Sequence, residues 1–489
     1  MRDFLHLFIN GKPYHVSGSH AFMTLSDFLR EELRLTGTKI VCREGDCGAC
    51  SVLVGRPVGG KSPLVYRAID SCIAFLYQLD GTHVVSVEGL GNTHHLSPVQ
   101  EAMVRCHGSQ CGYCTPGFVM TLHGLFEEYA EDPGSELSTD ALRVGLSGNL
   151  CRCTGYVQIM EAAQSIDSKE AVRVNQLFPS GPIADSLQSA DQEDVMLSAN
   201  EDGLIKTLYL PRSLGQALTF KADNVDARVV TGATDVGVQY NHGYPTGATV
   251  LSLSNIADLA KVEVVDQNLM IGSSANWTEI ISRTDPLYPE FANLLLRFGS
   301  PQIRNMGSIG GNLANASPIA DCLPFLYVID AKLALVSSEG RRVVDVKDFY
   351  QGYKQIDLRP SELIESVVCP LLAADERLKL CKVSKRRDMD ISTFTAAMRL
   401  TIQQGTIMKA SVALGGVGPT VIRASSCESV LIGAPFSIDV MRAAGVAARE
   451  EIRPITDVRG SDRYRGQLAE NVFVKWFHEL CNSDSEVSS

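Results

Sequence analysis

The sequence has 489 residues, which suggests roughly three domains of ordinary size. Apolar residues make up 45% of the chain and charged residues 20%, a globular balance, and the net charge of −12 argues against binding to nucleic acid or a membrane surface. The N-terminus lacks the pattern of a signal peptide, and no apolar run reaches the roughly 18 residues of a membrane span. The cytoplasm is therefore the expected compartment.

The first region, residues 1–85, is predicted to be rich in β-strands. Short alternating apolar runs such as Phe4 to Ile9 and His83 to Val87 indicate strands, and Asn10-Gly11 indicates a hairpin turn.

Residues 86–165 are predicted to be helical. Ser97 is the expected N-cap of a helix that starts at Pro98, and Pro116 starts another.

The remaining chain divides by composition. Residues 166–200 are rich in Ser, Asp, Gln and Pro and predict a surface linker. Strand-like and helix-like stretches alternate over 201–375 and 376–482, and the polar tail 483–489 is expected to be disordered.

Four cysteines in the first region form a spaced set that we call the first cysteine set: Cys42, Cys47, Cys50 and Cys72. Their C-x4-C-x2-C-x21-C spacing is that of plant-type ferredoxins, in which four thiolates hold a 2Fe–2S cluster. Gly45, Gly48 and Ala49 between them allow backbone N–H groups to turn toward the cluster. Structural zinc is the alternative, but zinc sites usually pair two short cysteine knuckles.

Four cysteines of the helical region form a second cysteine set: Cys111, Cys114, Cys151 and Cys153. Each pair lies beside a predicted helix start, where free N–H groups point toward negative charge. Spacing alone leaves zinc open as an alternative. Cys106 lies nearby and is interpreted as a non-ligand.

The segments around the second set carry a resemblance to a known family. Residues 108–117 (GSQCGYCTPG) and 148–156 (GNLCRCTGY) resemble a motif of the molybdenum hydroxylases, which include xanthine dehydrogenases, aldehyde oxidases and carbon monoxide dehydrogenases. The resemblance implies a 2Fe–2S cluster in a four-helix domain, close to a molybdopterin cofactor that Gln110 would face across a subunit contact. It favours iron over zinc at this site.

Three further stretches, 229–237, 307–321 and 382–391, are each compatible with ordinary turns or surface strands. Together and in this order they resemble the FAD domain of molybdenum hydroxylase flavoproteins, a vanillyl-alcohol-oxidase-like (PCMH-type) fold. A Rossmann fold is not indicated, because no G-x-G-x-x-G follows a predicted strand. By resemblance, the FAD site comprises Val230, Thr231, Gly232, Ala233, Thr234, Asp235, Val236, Gly237, Phe298, Ser308, Gly310, Gly311, Asn312, Asp321, Ile364 and Lys382.

The same resemblance implies separate roles along the flavin nucleotide. Residues 230–237 and 308–312 would hold the diphosphate, and Asp321 would contact the adenosine. Ile364 and Lys382 would lie near the isoalloxazine.

Two residues match positions near the flavin in xanthine dehydrogenases, and a third departs from the pattern. Phe298 would cover one flavin face, and Tyr353 would lie near a nicotinamide site. Met389 stands where an acidic residue is common, which makes the choice of electron acceptor less certain.

The expected fold class is α+β and multidomain. A β-grasp ferredoxin domain (1–85) and a four-helix 2Fe–2S domain (86–165) precede the linker (166–200). An FAD domain (201–375) and an α+β flavoprotein C-terminal domain (376–482) follow.

The resemblance implies the iron–sulfur and FAD subunit of a xanthine dehydrogenase. Electrons from purine oxidation at a molybdopterin on a separate large subunit would reach two 2Fe–2S clusters, then FAD and NAD⁺. Residues 1–489 show no molybdopterin-binding motif, so catalytic residues for purine hydroxylation are expected on that partner, in a dimer of heterodimers. Alternatives are the equivalent subunit of an aldehyde, nicotinate or aromatic-CoA oxidoreductase, and a non-enzymatic zinc-stabilised scaffold.

Overall fold

The computed structural model describes residues 1–58, 61–129, 137–167, 172–190, 192–201 and 204–487. It contains two compact units. Unit 1 comprises Met1–Asp258 together with Gly299–Ser308, and unit 2 comprises Leu259–Phe298 together with Ile309–Ser489. Residues 299–308 thus belong to unit 1 although the chain on both sides of them belongs to unit 2.

A five-stranded mixed sheet forms the start of unit 1. Its strands are β1 (Leu5–Ile9), β2 (Lys12–Val16), β3 (Ser51–Val58), β4 (Lys61–Asp70) and β5 (His83–Val85), in the order β2-β1-β5-β3-β4. The β1–β5 pair is parallel and the other pairs are antiparallel. The predicted hairpin turn is confirmed: Asn10 and Gly11 both have positive φ, which suits a two-residue turn between twisted strands. This is the expected β-grasp domain.

The helical region of unit 1 follows. Its main helices are Pro98–Arg105, Thr115–Tyr129, Thr139–Gly145 and Val157–Gln164, with a short helix at Val87–Leu90. The predicted N-cap is confirmed, because the Ser97 hydroxyl accepts a hydrogen bond from the Gln100 N–H at 3.3 Å and the Gln100 side chain accepts one from the Ser97 N–H. The helices bury a common core that includes Phe118 and Leu122.

The segment predicted to be a surface linker differs from that expectation. It contains the helices Val174–Leu177 and Ser180–Ala190, and Ile183 and Leu187 of the second helix are buried. These two residues stand four positions apart and therefore share one helix face. The abundance of Ser, Asp and Pro in the sequence concealed this face.

A four-stranded sheet completes unit 1. Strands β6 (Val195–Glu201), β7 (Leu204–Leu210), β8 (Arg228–Val230) and β9 (Thr249–Ser252) lie in the order β6-β7-β9-β8. The helices of this part are Leu214–Asp223, Thr234–Asn241 and, in the returning segment, Pro301–Arg304.

Unit 2 begins with an antiparallel sheet of five strands, in the order β10-β11-β16-β12-β13. The strands are β10 (Val262–Val265), β11 (Asn268–Gly272), β12 (Lys332–Ser337), β13 (Gly340–Asp345) and β16 (Leu363–Pro370), and β14 (Tyr350–Gly352) pairs with β15 (Gln355–Ile356). The accompanying helices are Trp277–Thr284, Pro289–Leu295, Ile309–Asn315, Leu323–Val328 and Val346–Phe349.

A second antiparallel sheet and three helices complete unit 2. Strands β17 (Glu376–Val383), β18 (Phe394–Gln403), β19 (Thr406–Gly415) and β20 (Ile422–Arg423) lie in sequence order, beside helices Ser425–Leu431, Ile438–Glu451 and Asp462–Val487. The last helix is described as far as Val487, within the segment 483–489 that the sequence predicted to be a disordered tail. In the described part of the chain, no helix is both long and apolar enough to cross a membrane.

Candidate iron–sulfur and flavin sites

The structure brings the four thiols of the first cysteine set together in unit 1. Cys42 is in hydrogen-bond contact with Cys47 and Cys72, and Cys50 is in contact with Cys72. Cys50 and Cys72 are buried, while Cys42 and Cys47 are half-buried. Ile73 completes the small apolar cluster around the buried pair.

Backbone N–H groups surround the Cys42 sulfur. The N–H groups of Glu44 and Asp46 both donate to it at 3.4 Å. The loop achieves this with left-handed residues, with φ of 58° at Arg43 and 74° at Gly45. Hydrogen bonds from neighbouring thiols, and then from the backbone, lower the pKa of Cys42, while the hydrogen bonds to Cys42 raise the pKa of Cys47 and Cys72. Among these three thiols, the thiolate is therefore favoured at Cys42.

Asp70 is a member of this site that sequence reasoning missed. Its carboxyl group is buried, and the Cys50 thiol donates to it at 3.6 Å. Burial, and then the nearby thiolates, raise the pKa of Asp70 well above its usual range. Its position two residues before Cys72 was the only available signal.

The second cysteine set is also assembled within unit 1. Cys111 contacts Cys153, and Cys114 contacts Cys151. The expected helix starts are confirmed: a helix begins at Thr115, directly after Cys114, and another at Val157. Cys111 and Cys153 are exposed, so one edge of this set faces the surface of unit 1.

Thr154 supports the second set. Its N–H and its hydroxyl donate to the Cys151 sulfur at 3.5 and 3.2 Å. Burial acts to raise the pKa of Cys151, but these hydrogen bonds outweigh it and the pKa is lowered. The Cys106 thiol contacts the Ser165 hydroxyl at 3.8 Å and is not among the contacts within the set.

Both cysteine sets fit the chemistry of a 2Fe–2S cluster. Such a cluster needs four soft thiolate ligands, two for each iron, and hydrogen bonds that stabilise negative sulfur. Two thiols that could bind one iron are in contact in each set: Cys42 with Cys47 in the first and Cys111 with Cys153 in the second. Backbone N–H groups donate the hydrogen bonds that stabilise negative sulfur, to Cys42 in the first set and to Cys151 in the second.

The first predicted flavin stretch forms a tight turn in unit 1. The Thr231 hydroxyl contacts the Ser308 hydroxyl at 2.5 Å, which joins residues from two of the predicted stretches. Gly232 is needed here, because a Cβ atom on it would lie 2.1 Å from the Met306 carbonyl oxygen. Ala233 has a φ of 53° and starts the helix Thr234–Asn241, whose first N–H groups are available to an anion.

The same helix reaches the first cysteine set. A Cβ on Gly237 would lie 2.2 Å from the Ile73 carbonyl oxygen, so the helix backbone packs directly against that loop. The Asn241 side chain donates to the carbonyl oxygens of Arg43 and Cys72 at 2.8 Å each. One element of unit 1 therefore joins the candidate diphosphate turn to the first cysteine set.

The other predicted flavin residues lie in unit 2. Gly310 packs on Ser273, where a Cβ would lie 2.6 Å from the carbonyl oxygen, and Gly311 is exposed on the same short helix. Asn312 accepts a hydrogen bond from the Cys322 thiol at 3.2 Å. Ile364 is buried in β16.

Asp321 and Lys382 form a buried ion pair in unit 2, with Nζ 2.5 Å from Oδ2. The Ser392 hydroxyl donates to the other carboxylate oxygen. The family resemblance assigned Asp321 to the adenosine and Lys382 to the isoalloxazine. The two side chains form an ion pair with each other, and both assignments stay predictions.

The remaining predicted residues are partly or largely exposed. Phe298 packs on Trp277, with ring centroids 4.9 Å apart. Tyr353 is 62% exposed in the turn between β14 and β15, Gln110 is exposed beside Cys111, and Met389 has a φ of 58°.

Four family models match the chain in order. They are a 2Fe-2S iron-sulfur cluster binding domain (residues 7–71), a 2Fe-2S binding domain (86–164), the FAD binding domain in molybdopterin dehydrogenase (204–372) and the CO dehydrogenase flavoprotein C-terminal domain (379–480).

Known proteins resemble the chain over different shares of its length. Xanthine dehydrogenase 1 of Arabidopsis thaliana is 30% identical over 99% of this chain, and xanthine dehydrogenase of Drosophila pseudoobscura pseudoobscura is 30% identical over 88%. The chain covers only 40% and 35% of these two relatives.

Solved structures share part of the fold. A Cu,Mo-CO dehydrogenase in its cyanide-inactivated form is similar over 55% of this chain and 94% of that chain, with a TM-score of 0.52 and 26% identity. Quinoline 2-oxidoreductase from Pseudomonas putida 86 has a TM-score of 0.52 at 24% identity, with the same coverage, and shows the fold alone.

The β-grasp domain, the helical domain and the two flavoprotein domains define an iron–sulfur flavoprotein. The four matched domains fit a 2Fe–2S and FAD subunit of the molybdenum hydroxylase type.

Proposed function

We propose that this chain is the electron-transfer subunit of an NAD⁺-dependent xanthine dehydrogenase, active on purines together with a molybdopterin-binding partner chain. The observation that carries the proposal is the assembly, within unit 1, of two complete four-cysteine sets with their backbone donors. The resemblance to xanthine dehydrogenases over nearly the whole chain supports the choice of substrate class.

The residues have distinct parts in this proposal. The first and second cysteine sets each hold one 2Fe–2S cluster, and the turn at Thr231 to Thr234 holds the FAD diphosphate. When bound, the clusters carry single electrons, and FAD interconverts one-electron and two-electron transfer. The chain holds these groups in fixed positions, and no side chain on it acts as an acid or base in purine hydroxylation.

The exposed edge of the second cysteine set is the proposed contact with the partner chain. Gln110 is exposed there, and apolar side chains within four residues of the cysteines are also exposed, among them Leu150 at 46% and Val157 at 58%. Exposed apolar side chains of this kind are a common feature of protein interfaces. A dimer of two such heterodimers, in the cytoplasm, is the proposed assembly.

The experiment is an assay of the purified chain with its clusters and FAD but without the partner. It should transfer electrons from NADH to an artificial dye and should form no urate from xanthine. Urate formation at a normal enzymatic rate would contradict the need for a partner. A flavin-loaded chain that NADH does not reduce would contradict the assignment of NAD⁺.

Tyr353 provides a residue-level test of the nicotinamide site. Tyr353→Ala should raise the KM for NADH and leave the FAD content unchanged, because the exposed ring lies on a turn outside the buried core. Tyr244 is similarly exposed, at 64%, so Tyr244→Ala is the matched control and should leave the KM unchanged.

The alternative within the family is a different substrate. The similarity of the fold to carbon monoxide dehydrogenase supports a substrate other than a purine as the alternative. The other candidates are the equivalent subunits of aldehyde, nicotinate and aromatic-CoA oxidoreductases. Assaying the complex with its partner chain against xanthine, an aldehyde, nicotinate and carbon monoxide distinguishes them. Preferential turnover of any substrate other than a purine would contradict the xanthine assignment.

A further inference from the structure

The loops that carry the two cysteine sets touch each other directly inside unit 1. The Leu150 N–H donates to the Cys47 carbonyl oxygen at 3.0 Å, and the Asn149 amide donates to the Gly48 carbonyl oxygen at 3.1 Å. A Cβ atom on Gly117 would lie 2.1 Å from that same Gly48 oxygen. The two loops therefore meet backbone to backbone, in a contact that we call the loop junction.

A single buried side chain, Gln302, joins the loop junction from a third segment. Its amide nitrogen lies 3.1 Å from the Ser51 hydroxyl, 3.1 Å from the Thr121 hydroxyl and 3.0 Å from the Asn149 side-chain oxygen. Gln302 is completely buried. The amide nitrogen carries two hydrogens, so its two N–H donors are shared among three acceptor oxygens.

Each of these three partners is tied to a proposed cluster ligand. Ser51 directly follows Cys50 and is the first residue of β3. Thr121 lies on the helix that begins directly after Cys114, and Asn149 precedes Cys151 by two residues. Gln302 therefore contacts elements of both cysteine sets at once.

The local structure around Gln302 restricts its movement. Gly299, with a φ of 56°, turns the chain, and the Ser300 hydroxyl caps the helix Pro301–Arg304 by accepting from the Ile303 N–H at 3.1 Å. The Ile303 side chain packs against the buried cysteines of the first set. Both the backbone and the neighbouring side chain thus hold Gln302 in place.

We propose that Gln302 is a positioning residue that sets the spacing between the two cluster-binding loops. This spacing in turn sets the rate of electron transfer between the two clusters. The inference rests on the proposed function, because it requires both cysteine sets to hold clusters. In the step concerned, one electron leaves the second-set cluster and reduces the first-set cluster, and no bond forms or breaks. The rate of such a step falls steeply with distance, so a small widening of the loop junction is enough to slow it.

The test uses the full chain with both clusters and FAD in place. Gln302→Ala removes the amide and opens a cavity, whereas Gln302→Met retains most of the volume and removes only the hydrogen bonds. Asn305→Ala is the matched control: Asn305 belongs to the same segment, and its amide donates to the Ala68 carbonyl oxygen at 2.8 Å, away from the loop junction. Iron and flavin are counted first in every variant.

The measurement is the magnetic coupling between the two clusters by EPR after reduction with dithionite, which supplies one electron to each. Both Gln302 variants should retain their iron and should show weaker coupling than the wild type and Asn305→Ala. Rapid-mixing kinetics with NADH should show slower reduction of the second-set cluster, with reduction of FAD unchanged.

Two outcomes would overturn the inference. Unchanged coupling in iron-replete Gln302→Ala and Gln302→Met would show that the loops keep their spacing without the amide. Loss of iron from both variants would show that Gln302 is needed for a cluster to bind, and not for the spacing between two bound clusters. A wild-type chain without two 2Fe–2S signals would instead refute the proposed function, so the two failures are distinguishable.

Discussion

Cys47 is half-buried in the first cysteine set and contacts Cys42. We predict that Cys47→Ser removes one of two 2Fe–2S EPR signals and about half of the iron, because each cluster takes two irons and four thiolates. Iron analysis and EPR of the reduced protein measure this. Cys106→Ser is the matched control, since Cys106 is a nearby thiol without a contact to either set among those described, and it should preserve both signals. Persistence of both signals in Cys47→Ser would contradict the ligand assignment.

His83 is a buried histidine that accepts a hydrogen bond from the Gly11 N–H on Nε2 and contacts the Tyr66 hydroxyl on Nδ1. Burial lowers the pKa of His83 to about 4. As the pH falls from about 6.5 toward about 4, the unfolded chain gains a proton that folded His83 does not, so the free energy of unfolding decreases, by roughly 3 kcal/mol at most.

The variant His83→Gln should therefore show a shallower loss of stability with falling pH, because glutamine does not titrate. Urea unfolding between about pH 7 and about pH 5 measures the slope. His94 is exposed, and His94→Gln should retain the wild-type slope. An equal slope in wild type and His83→Gln would show that other groups control the acid sensitivity.

The turn before the helix Thr234–Asn241 depends on close packing of its backbone. Gly232→Ala would place a methyl group 2.1 Å from the Met306 carbonyl oxygen. We predict protein that keeps its iron but binds little FAD, with a stability loss of roughly 1–3 kcal/mol from overpacking. Flavin absorbance per iron measures the effect. Gly215, on helix Leu214–Asp223, faces open space, so Gly215→Ala should retain FAD. Full flavin occupancy in Gly232→Ala would place the diphosphate elsewhere.

Two helices of unit 2 pack closely through a glycine. A Cβ on Gly445, in helix Ile438–Glu451, would lie 2.1 Å from the Glu470 carbonyl oxygen of helix Asp462–Val487. Gly445→Ala should destabilise unit 2 by roughly 1–3 kcal/mol, because the helices must separate to admit the methyl group. Thermal unfolding measures the loss. Gly466→Ala adds a methyl group whose nearest neighbour is Arg449 at 3.6 Å, so it should be neutral or slightly stabilising. Equal unfolding temperatures for the two variants would contradict the argument.

At the scale of the whole molecule, the proposed contact between the surface near the second cysteine set and a molybdopterin-binding chain can be tested by mutation. Val157 is 58% exposed and is the first residue of a helix, where an acidic side chain is well tolerated. Val157→Asp should weaken copurification of the partner without loss of iron, because a charge in an apolar contact costs desolvation energy. Val225→Asp, at a 45% exposed site elsewhere in unit 1, should copurify normally. Equal recovery of the partner with both variants would exclude this edge as the contact.

The parts of the fold that the sequence predicted correctly are local. The hairpin at Asn10 and the N-cap at Ser97 depend on the backbone preferences of neighbouring residues, and the structure confirms both. The family models confirm the classes of domain that the cysteine spacings and flavin-like stretches indicated. The role of each candidate ligand stays a prediction for the variants described above.

The prediction of a surface linker was wrong because it used amino-acid composition and not the spacing of the apolar residues. Segment 166–200 contains the helix Ser180–Ala190, whose buried Ile183 and Leu187 were hidden among polar residues. The two apolar residues stand four positions apart and share one buried helix face, which composition alone does not reveal.

The classes of cofactor domain could be predicted from the sequence alone, because cysteine spacing and glycine-rich turns depend on a few neighbouring residues. The contacts between residues that are distant in sequence could be seen only in the tertiary structure. Gln302 joins the two cysteine loops, Asn241 clamps the first loop, and Asp321 pairs with Lys382. The reason is physical: such contacts join residues up to 251 positions apart, and a glutamine in a polar segment shows its role only when folding buries it.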